Sequence, residues 1–86
     1  MAARVTTQTG FAYEIADEVV VELDGVDAFE LASGHHVERL RLPQWTIADV
    51  TAREVRDGRC VYAIRFRHAD ALCIALVDEA SIDGTA

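Results

Sequence analysis

Lysine and asparagine are absent from this chain, and all eight basic residues are arginine. Both missing residues have A-rich codons, so this bias reports a GC-rich coding sequence before it reports function. Against the eight Arg stand 15 Asp and Glu, a formal net charge of −7. That balance argues against a general nucleic-acid binder, which needs cationic surface to meet the phosphates. Cysteine is scarce: Cys60 and Cys73 form neither a metal-ligand spacing nor a disulfide framework. The five glycines are isolated turn residues, so no Gly-rich loop exists to cradle a phosphate. Apolar runs are short. The longest, at residues 19–21 and 72–77, fall far below the ~20 residues that span a bilayer. No basic start leads into an apolar stretch with a cleavage site, and a soluble cytoplasmic protein is expected.

What is present points to one small β domain. Eighty-six residues bury about 60% of the unfolded chain's surface, enough for a single core of modest stability. The 51% hydrophobic content is high for that size and points to an apolar patch covered by a partner or a second copy. Residues 1–10 are polar and aperiodic and read as an arm; residues 11–84 read as the domain. The strongest β signal runs over residues 45–77, as three antiparallel strands joined by two tight hairpins.

Element by element, Phe11-Ala12-Tyr13-Glu14-Ile15 alternates like a short strand. Residues 18–23 carry Val19, Val21 and Leu23 on one face and stop at Asp24-Gly25. Residues 26–32 are ambiguous: Asp27 with Glu30 forms a capping-box pattern for a two-turn helix closed by Gly34. Residues 37–42 place Leu40 and Leu42 inward and Arg39 and Arg41 outward, with Pro43 ending the strand. Asp57-Gly58 suits a type I′ hairpin turn. The register set by that turn conflicts with a core face of Tyr62, Ile64 and Phe66. One extra residue near 53–55 restores it, pairing Ala52 with Tyr62, Val50 with Ile64 and Ala48 with Phe66, so a β-bulge is predicted there. In the last hairpin the simplest register sets Phe66 opposite Leu72, Ile64 opposite Ile74 and Tyr62 opposite Leu76. Cys73 then faces Arg65 and Cys60 faces Asp78, with the sulfurs on opposite faces. After Val77, Asp78-Glu79-Ala80-Ser81-Ile82 suggests one helical turn pinned by Ile82 and a short closing strand.

Five to six short strands, with at most one or two helical turns, predict a mainly β fold: a small SH3-like barrel or a strongly twisted antiparallel meander. Tyr62-Ala63-Ile64-Arg65-Phe66, the strand at 72–77 and the acidic turn ending in Ile82 resemble the end of SH3-like barrels of the Tudor, KOW and nitrile-hydratase-β type. Residues 18–25 are similar to the first strand of those families. The resemblance spans residues 18–83 and is strongest over 60–83. It implies a binding or accessory module and carries over no catalytic residue. The aromatic supply departs from the methyl-lysine-reading Tudor pattern, so no aromatic cage is implied.

Charge is unevenly spread. Residues 13–30 hold seven carboxylates and no base, while residues 53–68 hold Arg53, Arg56, Arg59, Arg65 and Arg67 against Glu54 and Asp57. These five Arg are the candidate partner-binding residues. Arg65 and Arg67, on the face opposite Ile64 and Phe66, are expected beside Ala63, Ala71, Cys73 and Ala75, a flat surface for an acidic segment. The alternative is pairing within the chain. Other chemistry is weakly supported. His35-His36 with His68 lacks metal spacing, so no metal or other cofactor is assigned. Ser33 beside Gly34-His35 reads as loop punctuation, Ser81 as a helix cap, and Cys73 as a thiol that Arg65 could activate if exposed. No catalytic residue is assigned. The expected function is a non-catalytic protein-interaction or accessory module, with an unknown protein partner and a homodimer as options. The alternatives are a Tudor/KOW-like module touching RNA through the Arg face and a small metal-binding accessory protein.

Overall fold

The computed structural model describes residues 10–86, so the predicted arm lies outside the described residues except for Gly10. The chain is mainly β. Strands β1 (Glu18–Glu30), β2 (His36–Arg56), β3 (Arg59–His68) and β4 (Ala71–Asp78) precede a 3-10 turn (Glu79–Ser81) and β5 (Ile82–Thr85). All pairings are antiparallel. β1 pairs with β2 along its length, with β4 through Ala28, Phe29 and Glu30, and with β5 through Val19, Val20 and Val21. β3 joins β2 to β4, so the ladder β1–β2–β3–β4 returns to β1 and closes like a small barrel. Closure leaves fewer bare edges than a flat sheet.

The inside is filled unevenly. Tyr62, Ile64 and Phe66 of β3 are buried, as are Val19 and Val21 of β1 and Leu40, Leu42 and Val50 of β2. Facing them are small residues: Ala28, Ala48, Cys73 and Ala75. Ile82 is 6% exposed and pins the 3-10 turn, which with the closing strand follows the sequence reading.

Asp57 and Gly58 both have positive φ (50° and 76°), the signature of the type I′ turn expected there. The predicted bulge exists but sits at Thr51, between the pairs Val50–Ile64 and Ala52–Ala63. The turn-set register therefore survives as far as Ala52, and Arg53 faces Tyr62. It can do so because the N-terminal segment, not β2, covers the Tyr62 ring. Val50 pairs with Ile64 as expected.

Several expectations are corrected. Residues 11–15 form bends and turns rather than a strand. Phe11 and Tyr13 both pack edge-on against Tyr62, at 5.9 and 5.6 Å between ring centroids, and strand alternation would point them at one face with no neighbour to pair. Residues 26–30 are strand, not helix: Ala28 and Phe29 have partners on both sides, in β2 and in β4, and those ladders outweigh a marginal two-turn helix. Asp24-Gly25 does not stop β1; Gly25 (φ 76°) sits within a stretch of register shifts that bends the strand. Pro43 does not end β2 either. Residues 43–45 bulge out between the pairs Leu23–Leu42 and Val21–Thr46, where a missing N–H costs no ladder bond.

The largest correction is the register of the last hairpin. It turns through Ala69 and Asp70, with φ of 49° and 65°, and pairs Phe66 with Cys73, Ile64 with Ala75 and Tyr62 with Val77. A one-residue difference from the expected register moves every β4 side chain to the other face. Cys73 and Ala75 point into the core, and Leu72, Ile74 and Leu76 point out.

Candidate functional site

The outward turn of β4 creates the main surface feature. Along one row of the ladder stand His36 of β2, Phe29 of β1, Ile74 of β4, Arg65 of β3 and Asp49 of β2. In neighbouring rows Leu72 pairs with Arg67 and Leu76 pairs with Ala63, while the Leu31 N–H donates to the Leu72 carbonyl at 2.9 Å. Phe29 is 48% exposed, Leu31 49%, Leu72 41% and Leu76 51%. Single exposed apolar residues are ordinary, but three on adjoining strands with Leu31 in the turn after β1 are a cluster. Between the bend of β1 at Val26 and the β4 side chains Ile74 and Leu76 runs an open, largely apolar groove of about 570 Å³.

The five arginines divide. Arg65 lies on this face, opposite Ile64 and Phe66 as the alternation requires, and its Nη2 sits 3.1 Å from Asp49 Oδ2. Arg56 pairs with Glu54 at 2.9 Å and Arg59 with Asp78 at 2.9 Å. Arg53 donates to the Tyr13 carbonyl at 2.8 Å and lays its guanidinium 4.8 Å from the Phe11 ring centroid. Arg67 alone of the five has no bonded partner among the described residues. The structure thus brings Arg65 and Arg67 together on one face and disperses the others. Their neighbours are Ile74 and Leu72, not the small residues Cys73 and Ala75 that the other register would supply.

On the opposite flank, His36 stacks on Phe29 at 4.9 Å between centroids, and its Nε2 lies 3.6 Å from Asp27 Oδ1. Further along β2, Trp45 is 71% exposed with φ 72°, held at the bulge where Thr46 Oγ1 donates to the Pro43 carbonyl at 2.7 Å. Nothing in a strand-alternation reading identifies such an outlying aromatic, although Pro-Gln-Trp before a strand is a cue to irregular backbone.

Comparison with protein-family models, with curated proteins and with solved structures gives no significant match.

The remaining chemical candidates resolve into structural roles. Cys73 is fully buried opposite Phe66, so the expected contact with Arg65 does not form. Burial, and then the charge of Glu30, push its thiol pKa up, the reverse of activation. Ser33 donates from Oγ to Glu30 Oε1 at 2.9 Å and accepts the His35 N–H at 3.1 Å, which fixes the β1–β2 turn. Ser81 ends the 3-10 turn, whose N-cap is Asp78. His35, His36 and His68 do not converge; among the described residues no three His, Cys, Asp or Glu side chains gather as a metal site. No helix among the described residues is long and apolar enough to cross a membrane.

The most tightly built polar cluster lies at the other end. The Tyr62 hydroxyl donates to Glu79 Oε1 at 2.5 Å and accepts N–H bonds from Ala12 at 3.1 Å and Tyr13 at 3.3 Å. Glu79 Oε1 also accepts from Ala12 at 3.0 Å. Burial, reinforced by the Glu79 carboxylate, pushes the Tyr62 phenol up to about 12. The Tyr62 hydroxyl and the Ala12 and Tyr13 N–H groups all have partners within the chain, so the cluster acts as a clasp holding residues 11–13 over the barrel end.

Proposed function

We propose that this chain is a non-catalytic protein-interaction module on an SH3-like barrel, docking through the outer face of β4 and its neighbours. The element order supports the barrel reading: a long first hairpin, two tight hairpins, a 3-10 turn and a last strand returning to β1. One observation carries the functional reading. Phe29, Leu72 and Leu76 on adjoining strands, and Leu31 in the turn after β1, are held half in water, with Arg65 and Arg67 at their margin. An apolar centre with arginine beside it is the composition of a protein interface. The engagement of Arg53, Arg56, Arg59 and Arg65 within the chain, on a protein of net charge −7, weighs against an RNA-binding face.

The test is affinity capture with the immobilised chain, comparing the wild type with Leu76→Glu and Arg67→Glu. Both substitutions are on exposed strand positions and should leave the fold intact by circular dichroism. Capture lost in both variants supports the docking face; capture unchanged in both removes it.

A further inference from the structure

The barrel end at Tyr62 holds residues 11–13 in the way a receptor holds a peptide. Among the described residues, the backbone of residues 10–13 bonds to no other backbone group. Barrel side chains read it instead. The Tyr62 hydroxyl and Glu79 Oε1 accept the Ala12 N–H at 3.1 and 3.0 Å, and the same hydroxyl accepts the Tyr13 N–H at 3.3 Å. Arg53 donates to the Tyr13 carbonyl at 2.8 Å and stacks 4.8 Å from the Phe11 ring centroid. Both aromatic rings lie edge-on against Tyr62, while Ala12 between them is exposed. We propose that this barrel end is a binding site for a peptide segment with two aromatic residues flanking a small one, and that Phe11-Ala12-Tyr13 occupies it as an exchangeable internal ligand. The site is additional to the outer face of β4 and does not depend on that docking reading.

The receiving groups belong to the barrel alone. Tyr62 of β3 and Arg53 of β2 are ladder partners, and Glu79 opens the 3-10 turn directly after β4. Strand pairing therefore sets them in place, whether or not residues 11–13 are docked. What they read is general: main-chain N–H and C=O groups are offered by any peptide, and the ring contacts add the preference for aromatics. The connection to the barrel is a hinge. Backbone pairing with β2 starts only at Ala16, whose N–H donates to the Val50 carbonyl at 2.8 Å. Before it, the Asp17 N–H donates to the Glu14 carbonyl at 3.0 Å and the Glu14 N–H to Asp17 Oδ2 at 2.9 Å, a tight turn. Ala16 there has φ 80°, a strained value for a residue with a side chain. Lifting residues 11–13 at this turn breaks no ladder pair of β1, which begins at Glu18. Phe11 and Tyr13 are only half-buried, the mark of a segment that opens before the barrel unfolds.

The probe is a labelled synthetic peptide of residues 10–17, bound to the full chain and followed by fluorescence polarisation. The tethered segment competes at an effective concentration of about millimolar. The wild type should therefore bind the peptide at least about tenfold more weakly than the variant Phe11→Ala/Tyr13→Ala, whose own segment no longer fills the site. The same peptide with alanine in place of both aromatics should not bind that variant. Adding Arg53→Ala or Glu79→Ala to the variant should weaken binding about tenfold each, the effect of losing one bond to a charged group. Equal binding by wild type and variant, no binding by the variant, or binding indifferent to both Arg53 and Glu79 overturns the proposal. Hydrogen exchange on the wild type gives a second test that needs no variant. The Ala12 and Tyr13 amides should exchange at least about tenfold faster than that of Ile64, which has ladder partners on both sides, through an opening insensitive to low urea. Exchange at the Ile64 rate would mean that residues 11–13 leave only when the barrel unfolds, and the proposal falls.

Discussion

Replacing Tyr62 with Phe isolates the hydroxyl of the clasp at the barrel end. The ring is fully buried and its edge-on contacts with Phe11 and Tyr13 are kept, so no cavity larger than one oxygen forms. Three hydrogen bonds go: the donation to Glu79 at 2.5 Å and the N–H bonds from Ala12 at 3.1 Å and Tyr13 at 3.3 Å. Their losses differ. Ala12 N–H still reaches Glu79 Oε1 at 3.0 Å, and Glu79 is half-buried, so water can reach its carboxylate. The Tyr13 N–H loses its acceptor under the ring. A bond to a charged group contributes about 1.5–3 kcal/mol and a neutral one about 0.5–1.5 kcal/mol. Allowing for the retained bond and rehydration, the net loss is about 2 kcal/mol. For a domain of this size each kcal/mol moves the melting temperature by about 4–8 °C, so Tm should fall by about 10 °C. Circular dichroism melts and urea titrations measure it, and proteolysis between residues 11 and 17 should accelerate in parallel. A drop under about 2 °C would mean that ring packing alone holds the N-terminal segment, and the clasp argument fails.

Three further outcomes follow from the same structure. The Tyr62 phenol is raised from 10.0 to about 12, so its protonated form stabilises the fold fully below pH 10, and that contribution is lost as pH rises towards 12. Tyr62→Phe should therefore lose less stability than the wild type between pH 10 and 12 in alkaline urea titrations. In β4, Ala75 is 3% and Leu76 51% exposed. Ala75→Leu should therefore overpack the core and cost about 1–3 kcal/mol, whereas Leu76→Ala should cost the folded single chain under about 0.5 kcal/mol; denaturant midpoints in the reverse order would overturn the register. Gly58→Ala should cost about 1 kcal/mol by thermal melt, because φ is 76° while open space surrounds the added methyl group. A neutral result would show that the turn relaxes.

How far the sequence reaches depends on where the physical signal is local. Asp57-Gly58 declares its turn because only a few residue types tolerate positive φ at both central positions. The acidic turn before Ile82 and the inward Leu40 and Leu42 are equally local, and the structure has them as read. Ala69-Asp70 adopts the same class of positive-φ turn with neither Gly nor Asn to signal it. Alternation alone cannot choose between registers in a strand reading Leu-Cys-Ile-Ala-Leu-Val, since both faces are apolar. The segment at 26–30 fails for a related reason: its helix signal is local, while the pairing with Ala75 and Ile74 that overrides it is about 45 residues away. The face bearing Arg65 and Arg67 was legible from β3, but its neighbours were not, because they depend on that register.

The volume of the barrel explains why the larger residues of β4 lie outside. A ring closed by four strands has a narrow interior, and β3 already commits Tyr62, Ile64 and Phe66 to it. Their ladder partners must be small or slender: Tyr62 faces Val77, Ile64 faces Ala75 and Phe66 faces Cys73. The shifted register would set Leu76, Ile74 and Leu72 against the same three bulky side chains. Such overpacking costs about 1–3 kcal/mol per inserted group, which exceeds the strain of two left-handed residues at the turn. Core volume therefore selects the register, and the register places Leu72, Ile74 and Leu76 on the surface beside Phe29. The fold cannot bury both sets. A chain under selection for solubility alone would have polar residues at 72, 74 and 76, where packing imposes no constraint. That all three are aliphatic is the sequence feature the proposed docking would account for.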